Sequence, residues 1–254
     1  MVKKFSIALG CNEMLCLDNI LNSDVGYVVI NLYDIIGAHS TDMAKEFALN
    51  ILAKYANPIV VYNNHGIWKK IPVDINVNPE KVGGTGYIPS HIDCVNATNP
   101  PDYVAFYCER EDPLGGGISI LSNFLKAALE MQKEHQLELS QTFLREGAFF
   151  NLSNIGREYN PFPIIQYADN GTIKWVRYTG KRHDIESEVN MEILSEFKRL
   201  VEKNTKRIML RTGSMLIVNQ HIVGHGRMAL GKGQNEINID MRRCLWQMFY
   251  RSRY

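Results

Sequence analysis

The sequence has no apolar run near the roughly 20 residues that a transmembrane helix needs, so it predicts no membrane span. Its opening stretch, MVKKFSIALGCNEMLCLD, has the basic start of a signal peptide, but Gly10, Asn12 and Glu13 interrupt the apolar part. The sequence also has no large excess of one charge, since it contains 28 basic and 27 acidic residues. This balance favours neither nucleic acid nor an anionic membrane as a partner. We therefore predict a cytoplasmic protein.

Cysteine is scarce, and the few cysteines follow no pairing pattern. The five lie at irregular spacings, at Cys11, Cys16, Cys94, Cys108 and Cys244. The odd count and the lack of a CxxC pair argue against a disulfide framework and a zinc ribbon, and favour free thiols. The glycines at Gly115–Gly117 lack the lysine and the helix start of a phosphate-binding loop. No repeat or low-complexity linker divides the chain, so we expect one domain over residues 1–254.

Short strand patterns bounded by turn residues alternate with a few helical patterns. Strands are predicted at VGYVVINLYD, at PIVVYNN, on both sides of Gly213 in KRIMLRTGSMLIVNQ, and at INIDMRRCLWQMFYR. The Asn170-Gly171 pair predicts a hairpin turn. Helices are predicted at STDMAKEFALNILAKYAN, SNFLKAALEMQKEHQLELSQTFLRE and SEVNMEILSEFKRLVEKN.

The first of these helices takes Ser40 or Thr41 as its N-cap. Its predicted buried stripe, at helical spacing, is Met43, Phe47, Ile51 and Tyr55. Short strands with interposed helices favour a mainly β fold with supporting helices. The architecture that suits them is a double-stranded β-helix, or jelly roll, which closes two sheets around a ligand cavity.

The most informative motif is the His-x-Asp formed by His91 and Asp93, together with a distant histidine at His225. On an extended strand, residues i and i+2 point to the same face, so this imidazole and carboxylate can occupy adjacent positions around a metal. A histidine on a neighbouring strand can take a third position. Two histidines and one carboxylate, with other positions open, are typical of non-haem Fe(II) oxygenases. From the tripeptide alone, a loop histidine beside a turn aspartate is an equal alternative.

Further segments around this motif resemble the Fe(II)/2-oxoglutarate-dependent dioxygenases of the taurine dioxygenase and clavaminate synthase group. The resemblance runs from about Gly83 to Gln247, with a poorly matched middle. His91 and Asp93 fall on the family's HxD/E, and the HGR that begins at His225 falls on its distal histidine. PDYVAFYCEREDPLGGGISIL is similar to the family's PD, hydrophobic strand and GG-x-T. Within that segment the paired glycines are Gly116 and Gly117, and Ser119 replaces the usual threonine.

The C-terminal family pattern, Arg-x-Met/Leu-x-Arg, is only partly present. Here it reads Ile239-Asp240-Met241-Arg242-Arg243. Arg243 matches the second arginine, whereas Ile239 replaces the first. This departure leaves the details of cosubstrate binding open.

The resemblance implies an oxygenase with Fe(II) on His91, Asp93 and His225. 2-Oxoglutarate would chelate the iron through its keto acid end, and a planar, permanently charged arginine would bind its far carboxylate. Arg243 takes that role by motif position, with a hydrogen bond added by Ser119. Arg242 is the alternative, since the two side chains would face opposite ways on a strand. The implied reaction uses dioxygen to hydroxylate or desaturate a small molecule, an amino acid or a derivative, and Asp93 argues against a halogenase.

The substrate side is less defined by sequence. Asn63, Asn64, Tyr87 and Arg157 are candidate pocket residues, each with a surface or turn role as the alternative. The aromatic-rich stretch at about residues 150–187 is the predicted active-site lid, and Arg177 within it is predicted to be solvated. His221 lies four residues before His225, but its strand-and-turn context argues against a ligand role.

Two other functions stay open at this point. A zinc hydrolase could use the same ligands, but no general-base glutamate lies near the motif and Arg243 would have no role. A catalytically inactive ligand-binding protein of the same fold would be compatible with Ile239. Metal analysis separates the first alternative from an iron enzyme, and turnover separates the second. The sequence leaves the oligomeric state undetermined.

Overall fold

Strands dominate the described part of the chain, which comprises residues 17, 19–36, 40–53, 55–62, 65–95, 97–134, 164–180 and 191–253 of a computed structural model. The strands are β1 (Tyr27–Asn31), β2 (Ala56–Ile59), β3 (Trp68–Pro72), β4 (Ile88–His91), β5 (Tyr103–Arg110), β6 (Ser119–Asn123), β7 (Ile165–Tyr167), β8 (Ile173–Val176), β9 (Thr205–Ile208), β10 (Ser214–Asn219), β11 (Val223–Arg227) and β12 (Cys244–Ser252). The α-helices are α1 (Leu32–Ile36), α2 (Thr41–Ile51), α3 (Phe124–Glu134) and α4 (Met191–Lys203). Two short 3-10 helices, Gln234–Glu236 and Ile239–Met241, precede β12.

Two antiparallel sheets form the body of the fold. The larger has the order β1-β10-β5-β12-β2, with β3 also paired to β12, and the smaller has the order β4-β11-β6-β9. Apolar side chains from both sheets meet in one core, among them Phe106 of β5, Leu121 of β6, Leu216 of β10 and Val223 of β11. This arrangement confirms the predicted mainly β fold with supporting helices, a double-stranded β-helix.

The strand β10 is buried at every position because both of its faces are covered. Leu216 and Val218 belong to the core between the sheets. Met215 and Ile217 point to the opposite face, as alternation along a strand requires, and join a second core. That second core includes Ala44 and other residues of α2. The larger sheet is therefore covered on both faces, by the smaller sheet on one side and by helix on the other.

A third core joins the helices α3 and α4 to the hairpin of β7 and β8. Phe124, Trp175 and Phe197 contribute to it, one from each of these elements. The hairpin confirms the predicted Asn170-Gly171 turn. Residues 177–180 then run beside β4, where the amide of Ile92 donates to the carbonyl of Tyr178 at 3.4 Å. The described part of the predicted lid is thus packed against the core, and the lid itself stays a prediction.

The predicted buried stripe of α2 is wrong in part. Met43 is 46% exposed, whereas Ala44, Ala48 and Ile51 are buried. The helix lies so close to the sheet that small alanine side chains occupy the contact, and the longer Met43 is turned to its edge. The N-cap prediction is confirmed, because the Ser40 hydroxyl accepts from the amide of Met43 at 3.3 Å.

The final predicted strand is too long at its N-terminal end. The stretch that begins at Ile237 forms a 3-10 turn over Ile239–Met241, and β12 begins only at Cys244. Both arginines therefore precede the strand. In the part of the chain that the structure describes, no helix has the length and apolarity to cross a membrane.

Candidate metal centre

Strand pairing brings the two histidines of the motif together. His91 is the last residue of β4, and His225 is its direct partner on the neighbouring strand β11. Their ring centroids are 4.8 Å apart. Asp93 follows in the turn after β4, rather than on the strand as the motif suggested. One nitrogen of each histidine and one oxygen of Asp93 lie within 4.8 Å of one another.

The donor atoms of this triad converge. Nε2 of His225 lies 3.2 Å from Oδ2 of Asp93, and Nε2 of His91 lies 3.9 Å from Oδ1 of the same carboxylate. Nδ1 of His91 is 2.9 Å from the carbonyl oxygen of Pro89. A hydrogen bond there fixes the tautomer and leaves the Nε2 lone pair directed at the triad, which is how metal-binding histidines are usually oriented. The chemistry and spacing of the three groups fit a divalent metal.

Two glutamines that the sequence analysis did not identify hold Asp93 in place. The side-chain oxygen of Gln220 accepts from the Asp93 amide at 2.6 Å, and the side-chain nitrogen of Gln247 donates to Oδ2 at 3.1 Å. Burial by itself would raise the pKa of Asp93, but His225 and His91 lower it below its ordinary value, so the carboxylate is charged. Gln247 could have been found, because it is a polar residue at an inward position of an otherwise apolar strand.

A cleft between the two sheets extends from the triad to a cluster of cationic and hydroxyl side chains. Its wall includes the triad, Gln247, Ser119, Arg227 and Arg243, together with apolar residues such as Phe106 and Leu216. Ser119 and Arg227 are direct partners across β6 and β11. The cleft therefore has the triad in one part of its wall, apolar side chains in the rest, and a positively charged end.

The two arginines at this end are buried, and neither has a carboxylate within ion-pair distance among the residues that the structure describes. Each is 7% exposed. Arg227 donates to the carbonyls of Gly84 at 2.8 Å and Met228 at 3.2 Å. Over the described residues, the guanidinium of Arg243 has no hydrogen bond or ion pair. Burial lowers the pKa of both groups, to about 10 for Arg227, and the neighbouring charge of Arg243 contributes to the lower value of Arg227.

The paired glycines make room for this arrangement. A Cβ added to Gly116 would lie 2.1 Å from the backbone nitrogen of Gly231, and one added to Gly117 would lie 3.1 Å from the Arg243 side chain. Gly117 also has a φ of +72°, which favours glycine. Asp112 is the carboxylate that acts electrostatically on Arg227 and Arg243. It accepts hydrogen bonds from the amides of Gly116 at 3.0 Å and Gly231 at 2.7 Å.

Of the two adjacent arginines, only Arg243 lines the cleft. Nε of Arg242 donates to the carbonyl of Ile237 at 3.0 Å, which caps the 3-10 turn. The separation predicted from strand alternation is therefore present, but a turn produces it. Ile239, which stands at the position of the first family arginine, is 55% exposed and does not line the cleft.

The remaining sequence candidates are not gathered at the triad. Tyr87 is 48% exposed and does not line the cleft. Asn63, Asn64 and Arg157 lie outside the described residues. His221 is engaged elsewhere, with Nε2 2.6 Å from Oδ1 of Asp102, in agreement with its non-ligand prediction.

The prediction that Arg177 is solvated is wrong. Its side chain is 1% exposed. Its guanidinium donates to three main-chain carbonyls and one side-chain amide oxygen, those of Val95, Ala97, Thr98 and Gln166.

The family model "Taurine catabolism dioxygenase TauD, TfdA family" matches residues 34–245, and the chain belongs to this family. An asparagine oxygenase solved with Fe(II), 2S,3S-3-hydroxyasparagine and succinate has a TM-score of 0.73 at 15% identity, covering 94% of this chain and 79% of that one. The non-heme iron oxygenase OrfP, solved with Fe and alpha-ketoglutaric acid, has a TM-score of 0.70 at 14% identity, covering 95% and 80%. These likenesses show the fold. No curated protein sequence matches the chain.

Proposed function

We propose that this family member is a non-haem Fe(II)- and 2-oxoglutarate-dependent oxygenase that hydroxylates or desaturates an amino acid or a derivative. The observation that carries the proposal is one continuous cleft. It contains the convergent triad of His91, Asp93 and His225 and a buried Arg243 that has no partner among the described residues. A metal triad alone would suit several reactions. A cationic group in the same cleft suits an enzyme whose cosubstrate carries a second carboxylate.

The triad would hold Fe(II) through Nε2 of His91, Nε2 of His225 and a carboxylate oxygen of Asp93. Iron bound there supplies the activation of dioxygen for attack on a C–H bond. The chain itself contributes orientation. Pro89 fixes the ring of His91, and Gln247 holds one oxygen of Asp93. With a carboxylate at this position, we expect oxygen insertion or desaturation rather than chlorination.

The cationic end of the cleft would bind the far carboxylate of 2-oxoglutarate. Arg243 offers a guanidinium with no partner in the described chain, and Ser119 lies in the same wall. Arg227 adds a second buried positive charge, and the one carboxylate nearby, Asp112, is already bonded to backbone amides. Buried charges without a counter-charge are costly, so an anionic guest would be favoured. Arg227 would also supply a second positive charge beside Arg243, in place of the family's first arginine, which is Ile239 here.

An amino acid substrate is supported by the structural neighbours. Asparagine oxygenase was solved with a hydroxylated asparagine, and OrfP with hydroxylated arginines. We bring this substrate class to the present chain as a proposal. A cytoplasmic location and a single domain over residues 1–254 belong to the same proposal. Two buried cysteines, Cys108 and Cys244, are free thiols, as a reducing compartment favours.

Metal and cosubstrate binding test the proposal directly. Protein prepared without oxygen should bind about one Fe(II) per chain, and added 2-oxoglutarate should produce a visible charge-transfer band. His91→Ala and His225→Ala should each abolish the band. His221→Ala is the matched control, because this nearby histidine is bonded to Asp102 and should leave the band in place. A band that persists in both triad variants contradicts the metal assignment, and turnover without succinate contradicts the cosubstrate.

A further inference from the structure

Lys69 lies at the end of the active-site region opposite the arginines. It is on β3, directly across from Gln247 on β12. Its side chain shares a face with Ile71, which lines the cleft, because alternate residues on a strand point the same way. Val73, the residue after β3, donates its backbone amide to the Arg243 carbonyl at 3.1 Å. Val73 is four positions along the chain from Lys69, a distance of about 13 Å on an extended backbone.

The side chain of Lys69 lies near the triad on the inner face of β3, because its cross-strand partner Gln247 is bonded to Asp93. It acts electrostatically on Asp93, and both groups flank Gln247. Among the described residues it has no hydrogen bond and no acidic partner within 4.0 Å. Its contact is with an aromatic face, since Nζ lies 3.9 Å from the ring centroid of Tyr62. This contact fixes the ammonium over the ring and leaves its donors available to a ligand.

The next residue shows that this situation is particular to Lys69. Lys70 points to the outer face of the sheet, where Nζ lies 3.7 Å from a carboxylate oxygen of Glu109 and 5.3 Å from the Trp246 ring. Two adjacent lysines therefore have opposite environments. Lys70 is exposed and has a carboxylate oxygen within 4.0 Å, whereas Lys69 is half-buried and has none within that distance among the described residues.

We propose that Lys69 binds a carboxylate of the substrate, so that the enzyme acts on an acid, with an amino acid's own carboxylate as the fitting group. The inference rests on the proposed function, in which Arg243 holds the cosubstrate. The cosubstrate then extends from the arginines to the triad, and the substrate has the remaining side, where Lys69 and Tyr62 lie. A carboxylate paired with Lys69 would orient the rest of the substrate over the triad.

The test compares acids with their amides. L-Asparagine and L-arginine, each with its C-terminal carboxamide, are titrated by calorimetry into Mn(II)-loaded protein with 2-oxoglutarate, and again into metal-free protein. At least one acid should bind wild type tenfold or more tightly than its amide. Lys69→Met should remove this preference, Lys69→Arg should restore part of it, and Lys70→Met should keep it in full. None of the three should change the affinity for 2-oxoglutarate.

Two results would overturn the proposal. One is a panel in which no acid binds more tightly than its amide. The other is a Lys69→Met protein that discriminates as wild type does. The titration into metal-free protein separates a failure of this proposal from a failure of the proposed function. Absence of the iron or cosubstrate band would refute the proposed function, whereas the preference for acid over amide, measured without metal, would be unaffected.

Discussion

Two arginines of this chain are buried almost equally, yet their surroundings differ completely. Arg177 is 1% exposed and satisfied by four acceptor oxygens. Arg243 is 7% exposed, borders a cleft and has no side-chain partner among the described residues. Burial without partners costs free energy that the fold must supply elsewhere. Burial alone therefore does not distinguish the two arginines, whereas burial at a cleft without partners makes Arg243 the candidate for ligand binding that we propose.

The position of Arg177 explains what its bonds stabilise. Its guanidinium bridges from the β7–β8 hairpin to the loop that follows Asp93, by way of the carbonyls of Val95 and Ala97. The turn that presents Asp93 is thereby tied to the helical core. Arg227 is intermediate, since it donates to two carbonyls and also borders the cleft. The three arginines therefore form a series, from one that is fully bonded to one that borders the cleft without a partner among the described residues.

The largest expected effect is on stability, at Arg177. Arg177→Met should lower the free energy of unfolding by about 3–5 kcal/mol, because several buried acceptors lose their donor at about 1–3 kcal/mol each. Urea denaturation measures this change. Arg199→Met is the control, because Arg199 is exposed on α4 and paired with Glu196, and should cost less than about 1 kcal/mol. Equal stability of the two variants would show that the four buried hydrogen bonds of Arg177 contribute no more to the fold than one exposed ion pair.

The second effect is on ligand binding, at Arg243. Arg243→Met should weaken 2-oxoglutarate binding by about 2–5 kcal/mol, the usual cost of removing one partner of a buried charged pair. It should leave unfolding unchanged or stabilise the fold, because an uncompensated charge is removed. Calorimetry under anaerobic conditions measures the affinity. 2-Oxobutyrate, which lacks the far carboxylate, is the control ligand and should bind both proteins alike; an equal loss for both ligands would contradict the assignment.

Sequence reasoning identified the elements whose chemistry is local. His91, Asp93 and His225 came from a motif, and one ligand atom of each lies within 4.8 Å of the others in the fold. The Asn170-Gly171 turn came from a dipeptide with a strict backbone preference. In both cases the pattern itself carries the physical requirement, so the prediction did not depend on what packs nearby.

Predictions that depended on tertiary surroundings were less successful. Arg177 looked solvated because its partners are main-chain carbonyls about eighty positions away, which no composition or periodicity marks. Met43 looked buried because helical spacing gives a stripe but not its distance from the sheet, and the close approach selects Ala44 and Ala48. Gln220 was not anticipated for the same reason, since its contact with Asp93 joins residues 127 positions apart in the sequence.

The smallest effect is expected at Arg242. This prediction tests whether Arg242 helps to position Arg243 for 2-oxoglutarate binding. Strand alternation would have turned the two arginines apart, but they lie in a turn before β12, and the separation comes from the bond between Arg242 and the carbonyl of Ile237. Arg242→Met should therefore cost about 1 kcal/mol of stability, the typical net value of one hydrogen bond, and should not change 2-oxoglutarate affinity. The same calorimetric titration checks this. If Arg242→Met weakened 2-oxoglutarate binding as much as Arg243→Met, the capped turn would be shown to position Arg243, and the two arginines would act as one unit rather than as a binding residue and its neighbour.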